Sequence, residues 1–337
     1  MGDQNFSLQN QTTLLFNESE PTNFTNYTNS DNEMLAEMYI HGIVWPTISS
    51  IGIVGNILSF VVIAKLANSS FYLCLACLAL SDMAALVVGV TVFIVEMTGS
   101  VFESPVQIYC SAIEACLRTF SQLSSWITVA VTVDRYIAVC HPLKKNQYCT
   151  RKNALIIIGI ELLVIVAVNI PIICLEWDDE YSSCVVPGFT QNYCFEYGYF
   201  IDLSVYVLIP LGLICVFNVF IIKGIYTSAI TRRKMFSINE NMANTDATKD
   251  SKMKTITILF TISTFFILSF LPFIGLSFYA IVLNKHWDEI REQFPIPFAI
   301  TYIGSVLNHS INFLLYGLSG QRFREKFVEI FCFRRFV

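Results

Sequence analysis

The sequence predicts an all-α membrane protein: a seven-transmembrane helix bundle with its N-terminus outside and a short amphipathic helix at the inner C-terminus. Three observations predict it. First, the chain of 337 residues is 54% hydrophobic and only 14% charged, where soluble domains carry about 25% charged residues; its mean hydropathy is +0.57. Second, seven apolar stretches run from Ile43 to Ala64, Phe71 to Met97, Ala112 to Val139, Ala154 to Leu175, Tyr199 to Tyr226, Ile256 to Leu283 and Pro297 to Gly317. Each meets the roughly 20 residues that about 30 Å of hydrocarbon requires of a helix. Third, an outside N-terminus places 17 of the 21 Lys and Arg residues in inner loops and the tail, Lys65, Lys144, Arg232, Lys254 and Arg335 among them, and that bias sets orientation.

Residues 1–40 are rich in Asn, Thr and Glu, with neither a basic n-region nor an apolar core. They read as a disordered extracellular tail rather than a cleavable signal, so the first span has to carry the N-terminus across. Asn5, Asn10, Asn17, Asn23 and Asn26 each open an Asn-x-Ser/Thr triplet, so the tail is expected to be glycosylated. Residues 41–318 form the seven-helix domain and residues 319–337 the amphipathic helix and a short cytoplasmic tail. The connections are short polar pieces, such as Asn68 to Ser70 and Lys144 to Lys152, and one longer hydrophilic stretch from Thr231 to Lys254. The chain holds no internal repeat, which removes support for an inverted-repeat transporter.

Most of the 11 cysteines lie in or beside spans and read as packing residues. Cys110, Cys184 and Cys194 face the oxidising side. A bridge from Cys110 to the loop before the fifth span would fold that loop over the mouth of the bundle. Cys184 is the preferred partner because it leaves the longer arm before the fifth span, with Cys194 as the alternative. The outer side keeps only Arg118, Lys285 and Arg291 against eighteen acids. Such a surface steers cations toward the mouth. The net charge of -5 and the lack of an aromatic and basic motif argue against nucleic acid as a partner.

A set of motifs now falls on these spans: Gly55-Asn56 in the first, Leu78 to Asp82 in the second, Cys110 through Asp134-Arg135-Tyr136 in the third and His141-Pro142-Leu143 after it. Pro171, Pro210 and Pro272 lie in the fourth, fifth and sixth, and Asn308 and Asn312 to Tyr316 close the seventh ahead of Phe323 to Phe327. Together they resemble the rhodopsin-like G-protein-coupled receptors over nearly the whole stretch from Gly55 to Phe331. The run from Ser125 to Pro142 looks most like the FMRFamide-type and related neuropeptide receptors.

The resemblance implies a plasma-membrane receptor for an extracellular ligand that activates a heterotrimeric G protein, with arrestin as a further partner. It implies that Asp134 holds Arg135 at rest until the sixth span moves outward, with Tyr136, Phe266, Pro272, Asn312 and Tyr316 in the switch. It also implies that Asp82, Ser124, Asn308 and Asn312 form a hydrated cluster that could hold a sodium ion, no other cofactor being required. The bland reading of Asp82 is a helix-packing hydrogen bond, and that of Arg135 a snorkelling interfacial pair. Phe323, Phe327 and Ile330 follow helical spacing opposite Arg324 and Lys326, so a surface helix should lie along the inner leaflet. Cys332 beside it is a candidate palmitoylation site.

Leu117 stands where aminergic relatives carry an Asp, and no Lys lies in the outer half of the seventh span, which disfavours a monoamine and a retinal Schiff base. The pocket walls should instead be Glu96, Glu114, Arg118, Gln122, Asp202, Tyr206, Phe270, Phe273, Ser277 and Tyr302. Glu114 and Arg118, four apart, could simply neutralise each other. With the acidic outer face, the reading that follows is a short cationic neuropeptide; the alternative is a decoy or a constitutively active receptor for a non-peptide ligand, and a channel or transporter stands third. The four histidines, His41, His141, His286 and His309, are scattered, and neither H-E-x-x-H nor G-x-S-x-G occurs, so an enzyme is not expected.

Four positions depart from the family pattern. Glu161 and Phe270 stand where Trp is usual, Asn218 where a Tyr is common, and Phe313 where Pro follows Asn312. A helix-seven Pro eases a kink that Phe313 would not. Glu161 lies mid-span, where an ionised, lipid-facing carboxylate costs about 2.5 to 3.5 kcal/mol. Its carboxyl is therefore expected to hydrogen-bond polar side chains of the second and third spans, or a buried water.

Overall fold

A computed structural model describes residues 35–36, 38–98, 106–171, 176–178, 183–185, 200–236, 246–285 and 287–331. Six helices in it are long and apolar enough to cross a membrane, and a bent pair makes a seventh span. The spans are Ile40–Leu66, Ser70–Thr98, Val106–Cys140, Arg151–Asn169, a fifth made of Asp202–Leu208 and Ile209–Phe236, Asp246–Leu283, and the pair Pro295–Ser310 and Asn312–Ser319. Short helices Lys145–Tyr148 and Trp287–Gln293 cap the inner and outer sides, and Gln321–Phe331 follows the seventh span. Apart from the helices, the described outer loop adds a feature that the sequence reading lacked, a two-stranded antiparallel sheet of β1 (Glu176–Asp178) and β2 (Ser183–Val185), with Trp177 opposite Cys184.

The sequence bounds hold within a few residues, with two differences. The hydrophilic stretch from Thr231 to Lys254 is helical at both ends, since the fifth span continues to Phe236 and the sixth begins at Asp246. Hydropathy marks where lipid ends, whereas Lys, Arg and Met keep a helix going into water. The fourth helix ends at Asn169 rather than Leu175, just before Pro171. It starts at Thr150, whose hydroxyl accepts from the Asn153 backbone N–H at 3.2 Å. The sixth ends where Asn284 takes a left-handed φ of 51° and the Lys285 N–H returns to the Ala280 carbonyl at 3.0 Å, a Schellman closure that Asn tolerates.

The apolar core runs through Val62, Leu75, Leu78, Ile127, Val131 and Leu315 on the first, second, third and seventh spans. Lipid takes the outward faces. The fourth span shows most of its residues there, Leu163 at 72% exposure. Spans six and seven touch so closely that a methyl group on Gly304 would strike the Ser269 carbonyl.

The fifth and seventh spans are locally irregular, for physical reasons the sequence carries. Pro210 lacks an N–H, and the turn before it is wound as a π-helix in which the Ile209 N–H reaches Ser204. In that register the next carbonyl, Val205, would look to residue 210 and finds none; the indole N–H of Trp126 on the third span donates to it at 3.0 Å. The seventh span bends by 51° between Ser310 and Asn312. The bend thus occurs with Phe313 in place of the proline that would ease it. The His309 carbonyl, which the Phe313 N–H would otherwise use, accepts from Asn56 Nδ2 at 2.9 Å. A side chain of the first span thus reaches into the hydrogen-bond ladder at the bend, one of the recognised settings of a sharp kink.

Candidate functional site

At the outer end, Arg118 on the third span bridges two carboxylates. Its Nε donates to Glu114 Oε1 at 2.7 Å, and its Nη1 pairs with Asp202 at the start of the fifth span. Among the described residues one guanidinium stands between two acids, so the mutual neutralisation of Glu114 and Arg118 is only half of the arrangement. All three side chains stay about a quarter exposed, which keeps the charge open to the mouth. One turn deeper, Gln122 is fully buried and Asn169 Nδ2 donates to it at 2.9 Å, joining the third and fourth spans.

Below this lies an aromatic floor. Tyr206 stands edge-on to Phe270 at 5.0 Å between centroids, Phe270 leans on Phe266 at 4.8 Å, and Phe273 packs against the same cluster. Phe273 also meets Trp287 of the outer helix, which meets Phe298, which meets Tyr302. Tyr302 turns toward His41 of the first span, on a different wall from Arg118. Ser277 is fully buried. The structure therefore brings Glu114, Arg118, Gln122, Asp202, Tyr206 and Phe270 together, and sets Phe273 and Tyr302 in an adjoining aromatic ridge. The side chains of Glu96, Cys110 and Cys184, the acceptors Asn5, Asn10, Asn17, Asn23 and Asn26, and Cys332 lie outside the described residues.

In the centre Asp82 is completely buried. Ser124 Oγ donates to its Oδ1 at 2.5 Å and Asn312 Nδ2 to its Oδ2 at 2.6 Å. The third contact comes from His309 Nδ1, at 2.8 Å from Oδ1, where the sequence reading had placed Asn308. Tyr206 is 3.1 Å from the other imidazole nitrogen and 3.1 Å from Ser305 Oγ. His309 was legible as an ionisable group at membrane depth, three residues before Asn312 and so on the same helical face. Counting histidines as scattered along the chain hid it.

At the inner end Asp134 Oδ2 accepts from Arg135 Nη2 at 2.6 Å. Two consecutive residues at the start of the second span complete the clamp: Ser70 donates to the other Asp134 oxygen, and the Arg135 guanidinium lies 3.8 Å from the Phe71 ring centroid. The sequence reading missed both. Tyr136 faces away from this pair, 3.0 Å from His141 and against Phe217 and Phe220. Tyr316 is buried and its hydroxyl has no hydrogen-bond partner among the described residues, and the same holds for Asn218 Oδ1. Outside the membrane, Cys149 leans its thiol on the Asp134 carbonyl at 3.6 Å; burial, then the Asp134 charge, push that thiol up to about 11.

The C-terminal helix buries Phe323 under Phe313 and Tyr316 and stacks Phe327 beside it. Arg324 donates to the Gly317 and Leu318 carbonyls at 3.0 and 2.9 Å, closing the end of the seventh span. Glu161 Oε2 is buried and makes no hydrogen bond among the described residues, so the side-chain partner expected on the second and third spans is not found for that oxygen; the buried-water alternative stays open.

Seven spans, a buried carboxylate at their centre and an Asp–Arg pair at the inner mouth are the frame of a membrane receptor. The chain belongs to the rhodopsin family of seven-transmembrane receptors: residues 55–316 match the family model described as 7 transmembrane receptor (rhodopsin family). It is accordingly a multi-pass plasma-membrane protein and not an enzyme. It is 28% identical to the FMRFamide receptor of Drosophila melanogaster over 89% of this chain and 55% of that protein, so it spans about half of that relative's length. It is 26% identical to the thyrotropin-releasing hormone receptor of Mus musculus over 84% of this chain and 76% of the relative. Neuromedin-U receptor 2 of Homo sapiens is 24% identical over 86% and 70%.

Proposed function

We propose that this receptor binds a short cationic peptide at Glu114 and Asp202 and activates a heterotrimeric G protein through Asp134, Arg135 and Tyr136 when the sixth span moves outward. The observation that carries the ligand half is the open two-acid cluster around Arg118. A peptide cation entering the mouth finds a carboxylate surplus at the edge of a low-dielectric interior, where charge pairing is worth more than in water. Relatives named as receptors for FMRFamide, thyrotropin-releasing hormone and neuromedin-U support a peptide. Arrestin would bind the same inner surface. Domain bounds at 40 and 318, glycans on Asn5, Asn10, Asn17, Asn23 and Asn26, a palmitate on Cys332 and a Cys110–Cys184 bridge belong to the same reading. The bridge draws support from β1 lying against the third span, with Cys184 on its partner strand.

The test is a second-messenger screen of the full-length receptor against amidated peptides with and without Arg or Lys. The most potent peptide is then read on Glu114→Gln and Asp202→Asn. A tenfold or greater loss of potency, about 1.4 kcal/mol, is expected from each, with Arg135→Ala silencing nucleotide exchange at normal surface level. Unchanged potency in both acid variants would refute the ligand assignment, and retained coupling by Arg135→Ala would refute the transducing role.

A further inference from the structure

The resemblance implies a sodium ion beside Asp82, and the groups around that carboxylate do not fit one. A hard cation is held by oxygen lone pairs that converge on it. Here the groups converging on Asp82 present hydrogens instead. Ser124 Oγ and His309 Nδ1 donate to Oδ1 at 2.5 and 2.8 Å, and Asn312 Nδ2 donates to Oδ2 at 2.6 Å. A carboxylate only accepts, so the Nδ1 of His309 carries a proton whether the ring is neutral or charged. Nothing in the geometry depends on which.

The imidazole is locked on every side. Its Nε2 lies 3.1 Å from the Tyr206 hydroxyl, and Tyr206 is anchored in turn 3.1 Å from Ser305. Its backbone carbonyl accepts from Asn56 Nδ2 at 2.9 Å. The side chain is 4% exposed, against a carboxylate at 0%. A ring held at both nitrogens cannot swing aside to admit an ion without breaking two hydrogen bonds in a dry interior, where an unmet polar group is costly.

We propose that the His309 imidazole fills the place a sodium ion would take at Asp82, excludes the ion, and joins the second span to Tyr206 in the ligand pocket through a covalent ring instead. The chain Tyr206, His309, Asp82 runs from the fifth span through the seventh to the second, and Asn312 and Ser124 tie its inner end to the seventh and third. A mobile ion links such groups only while bound; a side chain links them permanently. The receptor is then indifferent to sodium.

Thermal melting of the purified full-length receptor tests this, with sodium as the only probe. Melting is compared in sodium chloride and in N-methylglucamine chloride at equal ionic strength. Wild type is expected to melt at the same temperature in both. His309→Ser leaves an oxygen and open volume against Asp82, and His309→Ala leaves the volume alone. At least one is expected to gain stability in sodium, about tenfold in the unfolding equilibrium once sodium is tenfold above its Kd, and to lose that gain when Asp82→Asn is added. A sodium-specific rise in wild type that Asp82→Asn removes overturns the proposal. So does a lack of gain in both folded His309 variants, since then the imidazole does not stand in the ion's place. The wild-type comparison decides even if both variants misfold: equal melting supports the proposal, and a rise lost with Asp82→Asn overturns it.

Discussion

Ser70 and Phe71 illustrate how much a single residue pair decides. One binds the acid of the inner ion pair and the other covers the base, so the second span holds both charges of Asp134 and Arg135 in the arrangement proposed as resting. A hydrogen bond to a charged group is worth about 1.5–3 kcal/mol and a cation–π contact about 0.5–2. Even about 1 kcal/mol lost from the resting arrangement raises basal exchange roughly fivefold. Ser70→Ala combined with Phe71→Leu is therefore expected to raise ligand-independent nucleotide exchange about fivefold at unchanged surface level, measured on membranes. Basal exchange equal to wild type would show that the clamp does not restrain Arg135.

Glu161 and His309 mark opposite outcomes of one sequence-level argument. Both are ionisable groups at membrane depth. His309 meets a carboxylate and a phenol, because its neighbours on the second and fifth spans are polar. Glu161 lies on the least buried of the spans and leaves one oxygen without a hydrogen bond among the described residues. The cost of the residue was legible in each case; the partner was not, since partners come from other helices.

Among the elements, the fifth span couples most directly to a neighbour. Pro210 removes the donor that the π-turn would offer Val205, and Trp126 replaces it. Trp126→Phe would strand that carbonyl at about 1–3 kcal/mol. Pro210→Ala restores an N–H, so the same Trp126→Phe change is expected to cost less in that background. Tm values of the four forms complete the cycle. A Trp126→Phe loss that is equally large with Ala at position 210 would break the link. The seventh span makes the same point: its 51° bend has no proline at the break and lies where Asn56 of the first span donates to the His309 carbonyl.

For the molecule as a whole, charge asymmetry is the organising fact. Eighteen acids against three bases on the outer side give a negative field over a pocket in which, among the described residues, two carboxylates flank one guanidinium. Association of the cationic peptide is then expected to slow at least threefold between about 10 mM and 150 mM ionic strength, as the Debye length falls from roughly 30 to 8 Å. Association kinetics insensitive to salt would show that the field does not steer the ligand.

The sequence by itself determined the seven spans, their orientation, the amphipathic C-terminal helix and the identity of the ionisable residues at depth, because hydropathy, helical period and the side of the basic residues are properties of single segments. It also located Asp82, Ser124 and Asn312, and the acids Glu114 and Asp202, as parts of two clusters. Only the tertiary structure decided that Arg118 serves two acids, that His309 rather than Asn308 meets Asp82, that Ser70 and Phe71 hold the inner pair, and that the seventh span bends without proline. Each of those depends on which residue of one helix lies against which residue of another. Rotation and depth between packed helices set that, and a one-residue change in either turns a different side chain toward the partner.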